Sequence, residues 1–572
     1  VNQLQEVTNA LNTGVKTVEV GVLNPEVFQQ IPKQHFKEIK RLTKLTDAEP
    51  TLHAPLVEPS GFVENRWSES NMQIAENQLM DAMEKAYEMS PEGNIPVTIH
   101  GATSVPGEEF VPDGKGGYIS KKILAVNRDT GEIAAQFKEE EYASMDILAK
   151  EGKAKEYTPQ QRLDNANYSQ WINKIESLQG LKKTTDEVSQ NFLSIAQMQH
   201  KLIDDLEKRK DDISEQDKQR IYQNLNSLQE QGQLEFRKSE SFLSNFDTTL
   251  NSTFNETFKN SDKKTKKELV KFAEKYTKKI GDLTNLRDEG KLGADDFIKM
   301  RSNIVDNQLI ELQAVVGKGP EILQRADDFA LEKAADTLSN VALKSYDKFK
   351  EKAPIVSIEN LYEGTAFGKP EKFRELIDKT REEFVNKAVQ GGMNKSKAKE
   401  IADKQIGVTW DVGHLNLMRK YGFKEEDLVK ATKMMKKDIK HVHLTDNFGY
   451  SDSHLSPGMG NVPFKKILEQ MEKSGVDLRD VKMINEAGAF AAGFKTNPHS
   501  YLLEAFGSPV YASGAPLWSQ ATGASGGYFS GYGEILPQQH FSMYGAGFSG
   551  LPTELGGQVG GARSRMSGAP NA

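Results

Sequence analysis

The sequence predicts an α/β fold, a parallel (β/α) barrel interrupted by one long helical insertion. Three observations predict it. Seven short, β-branched, near-continuously apolar runs recur along the chain, as strands covered on both faces should. Stretches with apolar residues at helical spacing lie between most of them. Six of the seven runs end in His, Asp or Glu, at the end of a barrel strand where functional groups gather.

The elements follow in order. "NQLQEVTNALN" (2–12) reads as a helix and "KTVEVGV" (16–22) as a strand. "PTLHAPL" (50–56) is a second strand, "NMQIAENQLMDAMEKAYEM" (71–89) a helix, and "IPVTIHGA" (95–102) a third strand. The chain opens on a helix that should follow a strand, so the first of eight barrel strands is missing from the sequence or supplied by another segment.

About 250 residues then separate "IPVTIHGA" from "PIVSIEN" (354–360), where a βα unit needs a few dozen. This insertion, after the fourth strand of an eight-strand count, starts with a hairpin, "GYISKKILAVNRDTGEIAAQF" (117–137), turning at Asp129–Gly131. Residues 158–350 read as long polar helices with narrow apolar stripes, a coiled-coil hairpin or small bundle. Its last helix, 325–350, returns to the barrel. "IGVTWDVGH" (406–414), "IKHVHLTDN" (439–447) and "VKMINEAG" (481–488) are the remaining strands, with a helix in "PFKKILEQMEKSG" (463–475). The expected domains are 1–114 and 346–495 for the barrel, 115–345 for the insertion and 496–572 for a tail.

That tail changes character. Residues 501–572 hold 15 of the 46 glycines, ten aromatics and five charged residues, a low-complexity composition. Rings without stiff elements to carry them favour packing on another surface, so Tyr501, Phe506, Tyr511 and Trp518 are expected to be buried against the barrel's outer surface or, in preference, a neighbouring chain.

With 37% hydrophobic and 27% charged residues, the chain of 572 suits a soluble protein of several domains. The net charge of −8 gives no general attraction to nucleic acid or anionic membrane. The lysine run "KKTKK" (263–267) sits among acids and reads as a solvated helix face. Without cysteine there are no disulfides and no thiolate metal sites. No apolar run reaches the ~18 residues of a membrane span, and a cytoplasmic location is expected.

The strand ends carry His53, His100, Glu359, Asp411, His443 and Glu486; His414, Asp452 and His454 follow in adjacent loops. A lone strand-end histidine is more often structural than a ligand. Here six of ten histidines fall at or just past four strand ends. Imidazole and carboxylate suit Zn²⁺ or Mn²⁺, and nine such groups exceed one tetrahedral ion. They suit two or three ions sharing a carboxylate. His441, two residues before His443, faces the same way along the strand and is an alternative ligand or a supporting residue. His35, His200, His499 and His540 have no such setting.

"TLHAPL", "IHGA", "SIEN", "DVGH", "HLTDN", "DSHLSPGMGN" and "NEAG" together resemble, in order, the metal motifs of the endonuclease IV branch of the xylose isomerase-like barrels. The resemblance covers about 1–110 and 350–490. It implies a TIM barrel holding three zinc ions that cleaves DNA at abasic sites. On that basis His53, His100 and Glu359 would hold one ion. Glu359, Asp411, His443 and Glu486 would hold a second, with Glu359 bridging. His414, Asp452 and His454 would hold the third. The loop "LNPEVF" lacks the Arg-containing stretch of the DNA-cleaving relatives. Leu56 and Val57 stand where relatives place a wedge, with rim packing the simpler expectation.

Three functions compete. A multi-zinc site suits phosphodiester hydrolysis, with Glu486 and Glu359 as the residues at the chemistry and a phosphodiester or sugar-phosphate, nucleic acid included, as substrate. A single-ion sugar isomerase or epimerase would need only Glu359, Asp411, His443 and Glu486. An assembly role would use the insertion and tail for a protein partner or self-association.

Overall fold

Seven parallel strands form one sheet, β1 (Thr17–Gly21), β2 (Glu49–His53), β3 (Pro96–His100), β4 (Ile355–Glu359), β5 (Ile406–Asp411), β6 (Ile439–His443) and β7 (Lys482–Ile484), hydrogen-bonded in that order. The computed structural model describes residues 3–115, 117–209, 213–435 and 438–488, with Leu502 and Phe506. The ends of the sheet curl together: β1 and β7 come within 8 Å, Cα to Cα. Lys482 of β7 reaches across to β2, its Nζ 3.3 Å from the Pro50 carbonyl and 3.3 Å from Glu49. The sheet is therefore a nearly closed barrel.

Strand alternation sorts the side chains into two faces. Val18, Val20, Leu52, Val97, Ile99, Val356, Ile358, Val408, Trp410 and Val442 are buried in the apolar core between sheet and helices. The helices at Lys33–Leu45, Glu69–Met89, Ala326–Phe349 and Pro370–Gln390 supply the other half, through Phe36, Leu79, Leu338 and Phe373 among others. Each such side chain contributes about 1.5–3 kcal/mol by leaving water. Helix Glu69–Met89 starts where Ser68 accepts the Asn71 N–H.

The other face is polar, which the near-continuous apolar appearance of the runs concealed. Glu19, Thr51, Thr98, Ser357, Thr409 and His441 share one layer inside the barrel. Thr98 Oγ1 lies 3.1 Å from Thr409 Oγ1, which donates to Ser357 Oγ at 2.8 Å. Two residues further along five of these strands stand His53, His100, Glu359, Asp411 and His443, each the last residue of its strand. Cross-strand register sets Glu359 beside His100 and Asp411 beside His443.

The predicted hairpin pairs Tyr118–Asn127 with Ile133–Lys138. Asn127 Oδ1 accepts the N–H groups of Asp129 and Thr130 to close its turn. The chain divides into two compact units, one of residues 160–324 and one of the rest. The smaller holds helices Pro159–Lys208, Glu215–Asn260, Lys263–Asp288 and Ala294–Val316 around its own core of Trp171, Leu178, Phe246, Leu269, Ile298 and Leu312.

Among the described residues no helix is long and apolar enough to cross a membrane. Of the four aromatics expected to anchor the tail, Tyr501, Tyr511 and Trp518 lie outside the described residues. Phe506 meets Phe464 edge-on at 5.9 Å and is 43% exposed within the single chain, because one edge contact covers only part of a ring.

Candidate metal centre

The nine residues of the sequence pattern fall at the carboxyl end of the barrel in three groups, two of which share Glu359. His53, His100 and Glu359 form the first. His53 Nδ1 lies 2.8 Å from the Ala54 carbonyl, an acceptor, so Nδ1 carries the ring proton. Its Nε2 is left facing Glu359 Oε2 at 3.5 Å, and His100 Nε2 faces the same oxygen at 2.9 Å.

The second group is Glu359, Asp411, His443 and Glu486. His443 Nδ1 stands 2.9 Å from Glu359 Oε1, 3.1 Å from Glu486 Oε2 and 3.8 Å from Asp411 Oδ2. Glu359 thus turns one oxygen to each of two groups. The third group is His414, Asp452 and His454. His414 Nδ1 is 2.9 Å from the Asn360 carbonyl, which leaves Nε2 facing Asp452 Oδ2 at 3.1 Å. His454 Nε2 lies 3.0 Å from that same oxygen.

Supporting contacts fix these side chains. Asp411 Oδ1 accepts the N–H groups of Gly413 and His414 and the Thr445 hydroxyl, at 2.7, 2.9 and 2.6 Å, and leaves Oδ2 to the centre. A Cβ at Gly413 would come 2.0 Å from Thr445 Oγ1, so "DVGH" needs its glycine. The Asp446 carboxylate accepts four backbone N–H groups, from Asn447, Gly458, Gly460 and Val462. It ties down the loop carrying Asp452 and His454. His454 itself has φ +45°, a conformation costing a non-glycine residue of order 1–3 kcal/mol, which the surrounding contacts hold.

The donor set fits metal ions. Glu359 Oε2, Asp411 Oδ2, Asp452 Oδ1, Glu486 Oε2 and His443 Nδ1 are buried without an aligned hydrogen bond, though several lie near 3 Å from one another; His443 Nε2 also lacks an aligned one and faces away from them, toward Glu19 at 3.1 Å. Lone pairs converging at that spacing are a ligand arrangement rather than a hydrogen-bond network. The three groups hold four carboxylates and five imidazoles. With neutral rings that is four negative charges in a largely buried place, and desolvation makes such a set costly unless cations match it.

Proton affinities report the same field. Burial opposes charge on Glu359, but His443 and His100 outweigh it and hold its carboxyl well below the usual range. Burial likewise opposes charge on His443, and Glu19, Glu359 and Glu486 push it well above the usual imidazole value. Asp411 is raised, by burial first, with Glu359 and Glu486 adding repulsion. The site opens toward Glu486, His454 and Asp452, whose side chains are 25–30% exposed, while His443 and Asp411 are fully buried.

The other sequence candidates separate cleanly. His441 points into the barrel, its Nε2 3.1 Å from Glu19 and its Nδ1 2.8 Å from the Lys482 carbonyl. His35 and His200 are exposed, and His499 and His540 lie outside the described residues. Val57 is buried packing, whereas Leu56 is 40% exposed. Glu19 was not foreseen, although with His441 and His443 it forms a further group of possible ligands. The available signal was an acid amid the apolar residues of "TVEVG", in step with the inward positions.

Parts of the chain are similar to known proteins. Residues 395–492 match the family model described as Xylose isomerase-like TIM barrel. The Uncharacterized protein MJ1311 of Methanocaldococcus jannaschii is 37% identical over 79 residues, 14% of this chain. The chain spans 26% of the length of that curated relative. A crystal structure of a D-tagatose 3-epimerase-like protein is 23% identical, with a TM-score of 0.20, over 27% of this chain and 48% of that one. Residues 395–492, with Asp411, His414, His443, Asp452, His454 and Glu486 among them, are thus similar to the xylose isomerase-like barrels, and the seven-stranded parallel sheet is an α/β barrel of the TIM type.

Proposed function

We propose that the protein is a metal-dependent phosphodiester hydrolase of the endonuclease IV type, holding two to three zinc-like ions. The observation that carries this reading is the division of Glu359, with Oε2 toward His53 and His100 and Oε1 toward His443. A carboxylate so placed is the natural bridge between two cations. His53 and His100 would complete one ion's ligands, Asp411, His443 and Glu486 a second's, and His414, Asp452 and His454 a third's.

Bound zinc would supply an acidified water near neutral pH and positive charge against phosphoryl oxygens. The chain's own residues do the rest. Glu486 is 30% exposed and stands at the mouth of the group, within reach of an entering substrate, where its carboxylate can orient water or take a proton. Asn360 and Asp446 keep the ligand loops in place. Leu56, Tyr362 and Tyr450 are exposed apolar surface on three loops that follow ligand-bearing strands, suited to stacking or wedging against a base or sugar. The test is cleavage of a duplex oligonucleotide with one abasic site and of a simple phosphodiester, with and without chelator. Metal-dependent cleavage of either supports hydrolysis; neither cleaved by metal-loaded protein counts against it.

A second reading rests on a specific observation. Glu359, Asp411, His443 and Glu486 form a four-ligand group by themselves, enough for a single-ion sugar isomerase in which two glutamates move a proton. The five further ligands are surplus to that chemistry. Metal stoichiometry separates the two.

A further inference from the structure

Glu19 lies in the layer directly beneath the ligand ring and has donors from three other strands. Its Oε1 receives the Thr51 hydroxyl at 3.3 Å and the Thr98 hydroxyl at 3.4 Å, with His441 Nε2 at 3.1 Å. Its Oε2 faces His443 Nε2 at 3.1 Å. Three partners on one oxygen keep the carboxylate from turning, so the other stays aimed at His443.

His443 has negative neighbours on both sides of its ring. Nδ1 faces Glu359, Glu486 and Asp411, where a cation would sit; Nε2 faces Glu19. An imidazole ligates through one nitrogen when the other keeps its proton and gives it to an acceptor. We propose that Glu19 is a positioning residue of the metal centre, accepting the Nε2–H of His443 and so presenting Nδ1 to the ion that Glu359, Asp411 and Glu486 would share. A cation held by Glu19, His441 and His443 in addition to that ion would require His443 to shed both ring protons and ligate on two sides. The inference rests on the metal-centre reading and adds to it a residue that touches no ion and no substrate.

The experiment is competition for zinc between the full-length protein and a chromophoric chelator, paired with the visible spectrum of the cobalt-loaded protein. Glu19→Gln keeps the shape and removes the charge; Glu19→Asp keeps the charge and withdraws it by one methylene. Both should weaken one bound ion about 10–100-fold and alter the cobalt spectrum, with the other ions bound as before. Thr51→Val, which loses a single 3.3 Å contact to Glu19, should stay within a few-fold of the parent. If the parent loads metal and both Glu19 variants bind every ion as tightly, with unchanged spectra, the role of Glu19 is overturned and the metal centre stands. If the parent takes up no zinc, both are overturned together.

Discussion

Glu359 Oε1 lies 2.9 Å from His443 Nδ1 across one intervening strand, β5, while the other Glu359 oxygen faces a different pair of histidines. Removing that carboxylate charge should disturb two ions at once. Glu359→Gln is expected to lower the affinity of two ions on the order of 100-fold or more, and His454→Asn that of one. Chelator competition on both variants checks this. Equal losses in the two would argue against a shared carboxylate.

Metal uptake should release protons. Burial disfavours a charged ring at His53 and His454, yet Glu359 beside the first and Asp452 beside the second push both to about 9 in the metal-free protein. An ion must displace those protons, so affinity should rise with pH toward about 9 and fall in acid. Calorimetry in buffers of different ionisation enthalpy would measure the release. A binding enthalpy independent of buffer near pH 7 would contradict it.

Asp446→Ala should weaken the third group without touching a ligand. Its carboxylate accepts four backbone N–H groups of the loop bearing Asp452 and His454. Losing charged acceptors of this kind costs about 2–3 kcal/mol. The expected outcome is a lower melting temperature and loss of one ion in three, read by metal analysis after gel filtration. Full metal content would show that the loop holds its shape by other contacts.

Asp438, just before β6, clamps Arg374 and Arg381 of helix Pro370–Gln390, and Arg381 also donates to the Ile406 carbonyl of β5 at 2.6 Å. Burial works against the Asp438 charge, but the two guanidiniums outweigh it and hold its pKa below the ordinary value. A depressed carboxylate stabilises above the unfolded-state pKa and loses that contribution as pH falls through the folded one. Asp438→Asn should therefore cost about 1–3 kcal/mol in urea unfolding at pH 7, and the gap should close in acid. A gap that is constant with pH would assign the cost to packing.

The strand ends were legible because six of the seven apolar runs stop on a His, Asp or Glu, and two of them are followed by further ligands in the adjacent loop. The barrel's polar interior was not. Thr51, Thr98, Ser357 and Thr409 read as ordinary β-formers, and only cross-barrel contacts show them facing one another. Glu19 escaped for a related reason: an acid in an alternating strand reads as solvent-facing until curvature brings it under His441 and His443. Phe506 shows the limit of composition, which signals sticky rings without saying what covers them.

The central claim is a centre of several ions, and metal analysis of the purified, zinc-reconstituted chain tests it most directly. The arrangement of Glu359 between two histidine groups predicts two to three ions per chain. One ion or none would contradict it.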